Sequence, residues 1–126
     1  MSLENMATVT ETIAGDEWSC NPFTVTTGGN YLKRLTKLFG ESFAALTSSQ
    51  SQEEAVQLAV VKLIDNMDKD DITGLIKAML YEVQKNGQKI NFDTEFARRY
   101  KVLFEVVKFV VKVNYGDFFT ADATGE

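Results

Sequence analysis

Chemistry would have to come from a short set of polar side chains, and the most versatile of them is missing, because the 126-residue sequence contains no histidine. That removes the commonest general base, the commonest nitrogen ligand for metals, and every hydrolytic triad built on imidazole. Four groupings remain. Asn66, Asp68 and Asp70 alternate as the first ligands of a calcium loop do, with Asp65 and Asp71 beside them. Yet Asp71 stands where such a loop needs glycine and Lys77 where it needs a bidentate glutamate, so the cluster reads as the end of one helix and the cap of the next. Gly28-Gly29 followed by Lys33 lacks the adjacent Gly-Lys-Ser/Thr of a phosphate loop and reads as a flexible start to a helix. Glu53 and Glu54 are sequence neighbours, so on a helix they point to different sides and cannot work as a pair. Cys20 alternates with Trp18 in the manner of a small buried apolar residue, and a lone cysteine forms no internal disulfide, which fits a reducing compartment. No catalytic set, metal site or cofactor site is expected.

What the sequence offers instead is apolar surface. From Phe92 to Phe119 the chain reads as one long helix followed by an aromatic turn. At about 100° per residue, Phe96, Tyr100, Leu103, Phe104, Val107, Val110 and Val111 share a face, and Val102, Val106, Phe109 and Val113 form a second apolar row beside it. Only the arc of Arg98, Lys101, Glu105, Lys108 and Lys112 stays charged. Such a helix needs neighbours on two sides. One is the chain's own core, and the other is expected to be a partner protein or a second copy of the chain. The partner-binding residues so nominated are Val102, Val106, Phe109, Val113, Tyr115, Phe118 and Phe119. Asn114-Tyr115-Gly116 is expected to cap the helix with glycine at positive φ.

A net charge of −5 argues against general nucleic-acid binding, which needs a basic surface, and the basic arc interrupted by Glu105 reads as a solvated face. The most apolar run is broken by Lys108 and Lys112, far short of the roughly 20 residues that span a bilayer. No secretory leader is legible, and Met1-Ser2-Leu3 reads as a remnant of expression ahead of a natural start at Met6.

The elements that position this helix follow from upstream patterns. Alternation from Thr8 to Val25, broken at Ala14-Gly15-Asp16, predicts a β-hairpin with a Gly-Asp turn, its Ile13, Trp18 and Phe23 packing on helices and its edge open to another chain's strand. Asn30 is expected to cap a helix with Tyr31, Leu32, Leu35, Leu38 and Phe39 inward, bent or ended at Gly40 before Phe43, Ala44 and Leu46. Ser51 and Glu54 form a capping box ahead of a stripe of Val56, Ala59, Val60, Leu63, Ile64 and Met67. A further stripe of Ile72, Leu75, Ile76, Met79, Leu80 and Val83 closes at Asn86-Gly87. The expected fold is mainly α, a small bundle of four or five helices with an N-terminal β-hairpin. Residues 8–119 form a single domain between a flexible N-terminus (1–7) and a flexible tail (120–126).

The ending Phe92-Asp93-x-x-Phe96, through Leu103-Phe104-x-x-Val107-Lys108-Phe109, to Val113-Asn114-Tyr115-Gly116-Asp117-Phe118-Phe119 resembles the tail assembly chaperones of long-tailed bacteriophages and prophages, with weaker similarity in Leu32 to Phe43. The family's Phe-Ala-Gly is here Phe96-Ala97-Arg98. The resemblance implies a non-enzymatic protein that keeps the tape-measure protein soluble and recruits tail-tube subunits. It implies action in the cytoplasm of the bacterial host, absence from the finished virion, and in many members a longer frameshifted form. Two other classes share the lack of catalytic residues: a structural connector or completion protein of the particle, and a helical DNA-binding regulator using Arg98, Arg99 and Lys101.

Overall fold

Alternating side chains carry β1 (Val9–Ile13) and β2 (Asp16–Cys20) as antiparallel partners, with Val9 opposite Cys20 and Ile13 opposite Asp16. The turn between them is Ala14-Gly15, at φ 52° and 85°. Two successive positive φ values give the twist that a two-residue hairpin favours, which moves the turn one residue from the expected Gly-Asp. The chain is seen as a computed structural model that describes residues 8–39, 52–68 and 70–116. Gly40 to Ser51, with the expected bend and the first half of the capping box, lie outside the described residues, as do Phe118 and Phe119.

The sheet is larger than a hairpin. Asn86-Gly87, expected to close a helix, is instead the turn of a second hairpin, β3 (Gln84–Lys85) and β4 (Gln88–Lys89), at φ 51° and 82°. β3 pairs with β2, so four antiparallel strands run in the order β1-β2-β3-β4. Asn86 fastens the turn to the start of β2: its Oδ1 accepts from Glu17 N at 2.9 Å and its Nδ2 donates to Asp16 Oδ1 at 3.0 Å.

Helix α1 (Val25–Phe39) begins ahead of Gly28-Gly29 rather than after Asn30. Thr24 caps it, accepting from Thr27 N at its Oγ1 (3.2 Å) and from Gly28 N at its carbonyl (2.8 Å). Helices α2 (Gln52–Asp65) and α3 (Asp70–Met79) follow, the latter ending before Leu80 and Val83. The last stretch is broken in two. Asn91 caps a single turn, α4 (Phe92–Glu95), by accepting from Thr94 N at 3.3 Å; Arg98 then takes φ 62°, and α5 (Tyr100–Tyr115) starts afresh. Phe96 and Tyr100 therefore leave the predicted stripe: Phe96 stacks on the fully buried Trp18 at 5.8 Å, and Tyr100 is exposed.

The described residues form a mainly helical fold whose buried side chains make one contiguous core, with α5 in its middle. α5 packs against α2 on one side and against β1 and β2 on another. Across the α2 contact Glu53 meets Lys108 at 3.0 Å and Lys112 at 3.5 Å. The Lys108 hydrogen bond and charge hold the Glu53 carboxyl below its usual range, and Glu53 in turn raises Lys108.

Candidate functional site

The stripe nominated for partner binding is covered by the chain itself. Val106 is fully buried and Phe109 is 3% exposed, while Val102 and Val113 are half-buried against the core. The correction has a simple cause. The wide apolar circumference of α5 does reflect two neighbours, but α2 and the β1-β2 hairpin supply both. The basic arc is also partly neutralised, since Lys108 and Lys112 share Glu53.

Tyr115 and its neighbours have a different task from the one expected. Gly116 keeps right-handed helical angles (φ −53°, ψ −46°), so no left-handed cap forms. Instead the last turn of α5 clasps the segment that joins β2 to α1. Asn114 Oδ1 accepts from Phe23 N at 2.7 Å, and its Nδ2 donates to Val110 O at 3.0 Å and lies 3.9 Å from Cys20 Sγ. The buried Tyr115 hydroxyl donates to Gly28 O at 2.7 Å. Burial pushes the Tyr115 phenol up, and pushes the Cys20 thiol up to about 11 against a smaller opposing effect from Asn114. Neither group is a nucleophile at neutral pH. Gly28 is glycine for a spatial reason: a Cβ there would sit 3.2 Å from Phe23 Cβ and 3.8 Å from the Tyr115 hydroxyl.

The clasp builds an aromatic surface around Phe23. Its ring meets Tyr31 edge-on at 5.1 Å and Tyr115 at 6.1 Å. Beside it lies a cavity of ≈ 370 Å³ whose walls include Phe23, Tyr31, Met79, Tyr81 and Val83. Phe23 and Thr24 also border a second hollow of ≈ 290 Å³ against Val25, Leu32 and Tyr115, and Tyr81 borders a third of ≈ 400 Å³ with Ile90 and Phe92. Tyr81 is the ridge between the first and third, 68% exposed, with Lys89 Nζ 4.6 Å from its ring centroid. Such a run of partly exposed rings can hold an apolar segment by burying the ring faces that the fold leaves open. Among the described residues no group of carboxylates and cysteine is placed to hold a metal, and no described helix is long and apolar enough to cross a membrane.

Sequence reasoning missed this groove because it carried the α3 stripe through Tyr81. The available signal was Asn86-Gly87 between short polar runs, which marks a hairpin and leaves Tyr81 in the connection.

The family described as phage tail assembly chaperone protein, TAC, matches residues 14–125. No curated protein and no solved structure gives a significant match.

Proposed function

The chain belongs to the phage tail assembly chaperone family, and from that premise we propose that it binds an apolar segment of the tape-measure protein, keeps that protein soluble, and brings tail-tube subunits to it. The work is binding without turnover, carried out in the cytoplasm of the host cell by a protein left out of the finished virion. The observation that carries the reading is the aromatic groove along Phe23, Tyr31 and Tyr81, set on a chain of net charge −5. Groove and charge suit a holder: the rings take up client surface that would otherwise aggregate, and the acidic balance keeps the complex in solution. Binding the soluble client alone draws it out of the aggregate by mass action.

The test is co-expression with the tape-measure protein of the same tail. Wild type is expected to move the client into the soluble fraction and to co-purify with it, and Tyr81→Asp to lower the soluble yield roughly fivefold or more while keeping the fold, because Tyr81 is 68% exposed. A client equally soluble without the chaperone, or one that does not co-purify with wild type, would overturn the reading. Recovery of the chain in purified particles would point instead to a connector.

A further inference from the structure

The ≈ 370 Å³ cavity beside Phe23 has walls of one electrical sign. Among the described residues its one charged lining side chain is Glu82, which is exposed and makes no side-chain hydrogen bond or ion pair there. Helix α3 ends on the same wall: Ala78 and Met79, its last two residues, line the cavity, and the carbonyl end of a helix carries partial negative charge. Ala78 O takes only a long bond from the Tyr31 hydroxyl, at 3.5 Å, and one from Tyr81 N at 3.2 Å. Much of the remaining wall is ring surface from Phe23, Tyr31 and Tyr81, and the face of an aromatic ring is electron-rich as well. Tyr81 shows that property within the chain, with Lys89 Nζ 4.6 Å from its centroid.

The nearby bases belong to the other side of the Tyr81 ridge. Lys77 and Lys89 border the ≈ 400 Å³ hollow and not this one, and Lys77 pairs there with Asp93 at 3.5 Å. An acidic side chain entering the cavity would therefore meet repulsion from Glu82, from the end of α3 and from the rings. A wholly apolar segment would strip water from Glu82 and give its carboxylate no partner. A Lys or Arg side chain meets both demands, because its apolar stem lies on ring faces while its charged head reaches a carboxylate and backbone carbonyls.

We propose that this cavity selects a basic residue within the apolar client segment, its stem against Phe23, Tyr31 and Tyr81 and its head between Glu82 and the carbonyl end of α3. The inference rests on client binding at this groove and adds what the client presents there: apolar side chains with a Lys or Arg among them. Glu82 is then the residue that sets specificity, and the rings supply the area.

The test titrates short overlapping peptides that tile the tape-measure protein of the same tail into the wild-type chain and into Glu82→Gln, Glu82→Lys and Asp65→Lys, and repeats co-purification of the intact client with the same variants. Peptides that bind wild type are expected to carry Lys or Arg inside an apolar run. Glu82→Gln weakens them about threefold and Glu82→Lys about tenfold or more, differences that shrink at high salt. Asp65→Lys makes the same change in net charge at an exposed site on α2 and leaves affinity within about twofold, which separates local pairing from overall steering. Replacing the peptide's base by norleucine removes the effect of Glu82→Gln, since the two changes delete one interaction. Equal binding by wild type and Glu82→Lys, binders that lack a base, or an equal loss in Asp65→Lys would overturn the proposal and leave client binding standing. Self-association of the chain that Glu82→Lys abolishes would assign the groove to a second copy and overturn it too. If neither the peptides nor the intact client bind wild type, the client reading itself fails and this inference falls with it.

Discussion

Replacing Arg98 by glycine is expected to stabilise the protein, and the size of the effect follows from the joint between α4 and α5. Arg98 is held at φ 62°, where an L side chain crowds its own backbone. That conformation costs roughly 1–2 kcal/mol for an ordinary residue and almost nothing for glycine. The side chain gives little back: it is exposed, and it makes no hydrogen bond or ion pair among the described residues. Glycine makes the unfolded chain more flexible, which offsets about 0.4–1 kcal/mol of the gain. A net stabilisation of about 0.5–1 kcal/mol remains, or about 2–5 °C in Tm for a domain of this size. Urea and thermal melts measure it. Arg98→Ala keeps the crowding and should stay within about 0.5 kcal/mol of wild type, while Gly87→Ala, at φ 82°, should lose at least about 1 kcal/mol. If Arg98→Gly proved less stable than Arg98→Ala, the joint would not be strained and the guanidinium would have a role that the fold does not reveal.

Phe109, 3% exposed, should cost about 3–5 kcal/mol on truncation to alanine, and Phe109→Asp should unfold the chain by circular dichroism; a folded, monomeric Phe109→Asp in sedimentation would return this stripe to an interface. Alkaline stability tests the clasp. Cys20 has its thiol raised from 9.0 to about 11 by burial, so its contribution is complete below about pH 9 and is lost as pH rises towards 11. Tyr115, also raised by burial, acts with the same sign. Urea midpoints should therefore fall over that range by the equivalent of up to about 2 kcal/mol for Cys20, and Cys20→Ala should flatten the early part of the fall. Midpoints that stay level to pH 11 in wild type would contradict the burial of both groups.

Features legible in the sequence were those fixed by residues close in the chain. The β1-β2 hairpin followed from alternation around Ala14-Gly15, and α2 and the first part of α3 from stripes such as Val56, Val60 and Leu63 or Ile72, Leu75 and Ile76, all buried as expected. The failures came where a distant part of the chain outweighed a local signal. Gly28-Gly29 reads as a flexible start to a helix, yet it lies inside α1, because Thr24 caps the helix further upstream and the close approach of Phe23 favours a residue without a Cβ at Gly28. Asn86-Gly87 fits a helix end as well as a hairpin turn, and its pairing with β2, some seventy residues earlier, decides for the hairpin. The apolar width of α5 was read correctly as a demand for two neighbours. Periodicity counts how many sides of a helix are covered; it does not say whether the cover belongs to the same chain. Here the second cover is the β1-β2 hairpin, and a small sheet in turn needs a helix beneath it to bury enough apolar surface to persist. The surface proposed for a partner is consequently not the most apolar helix but the place where elements end: the exit of β2, the start of α1 and the end of α3 leave Phe23 and Tyr31 half-buried and Tyr81 exposed. Chain ends and turns carry no periodic signal, so a groove made of them emerges only once the fold has brought them together.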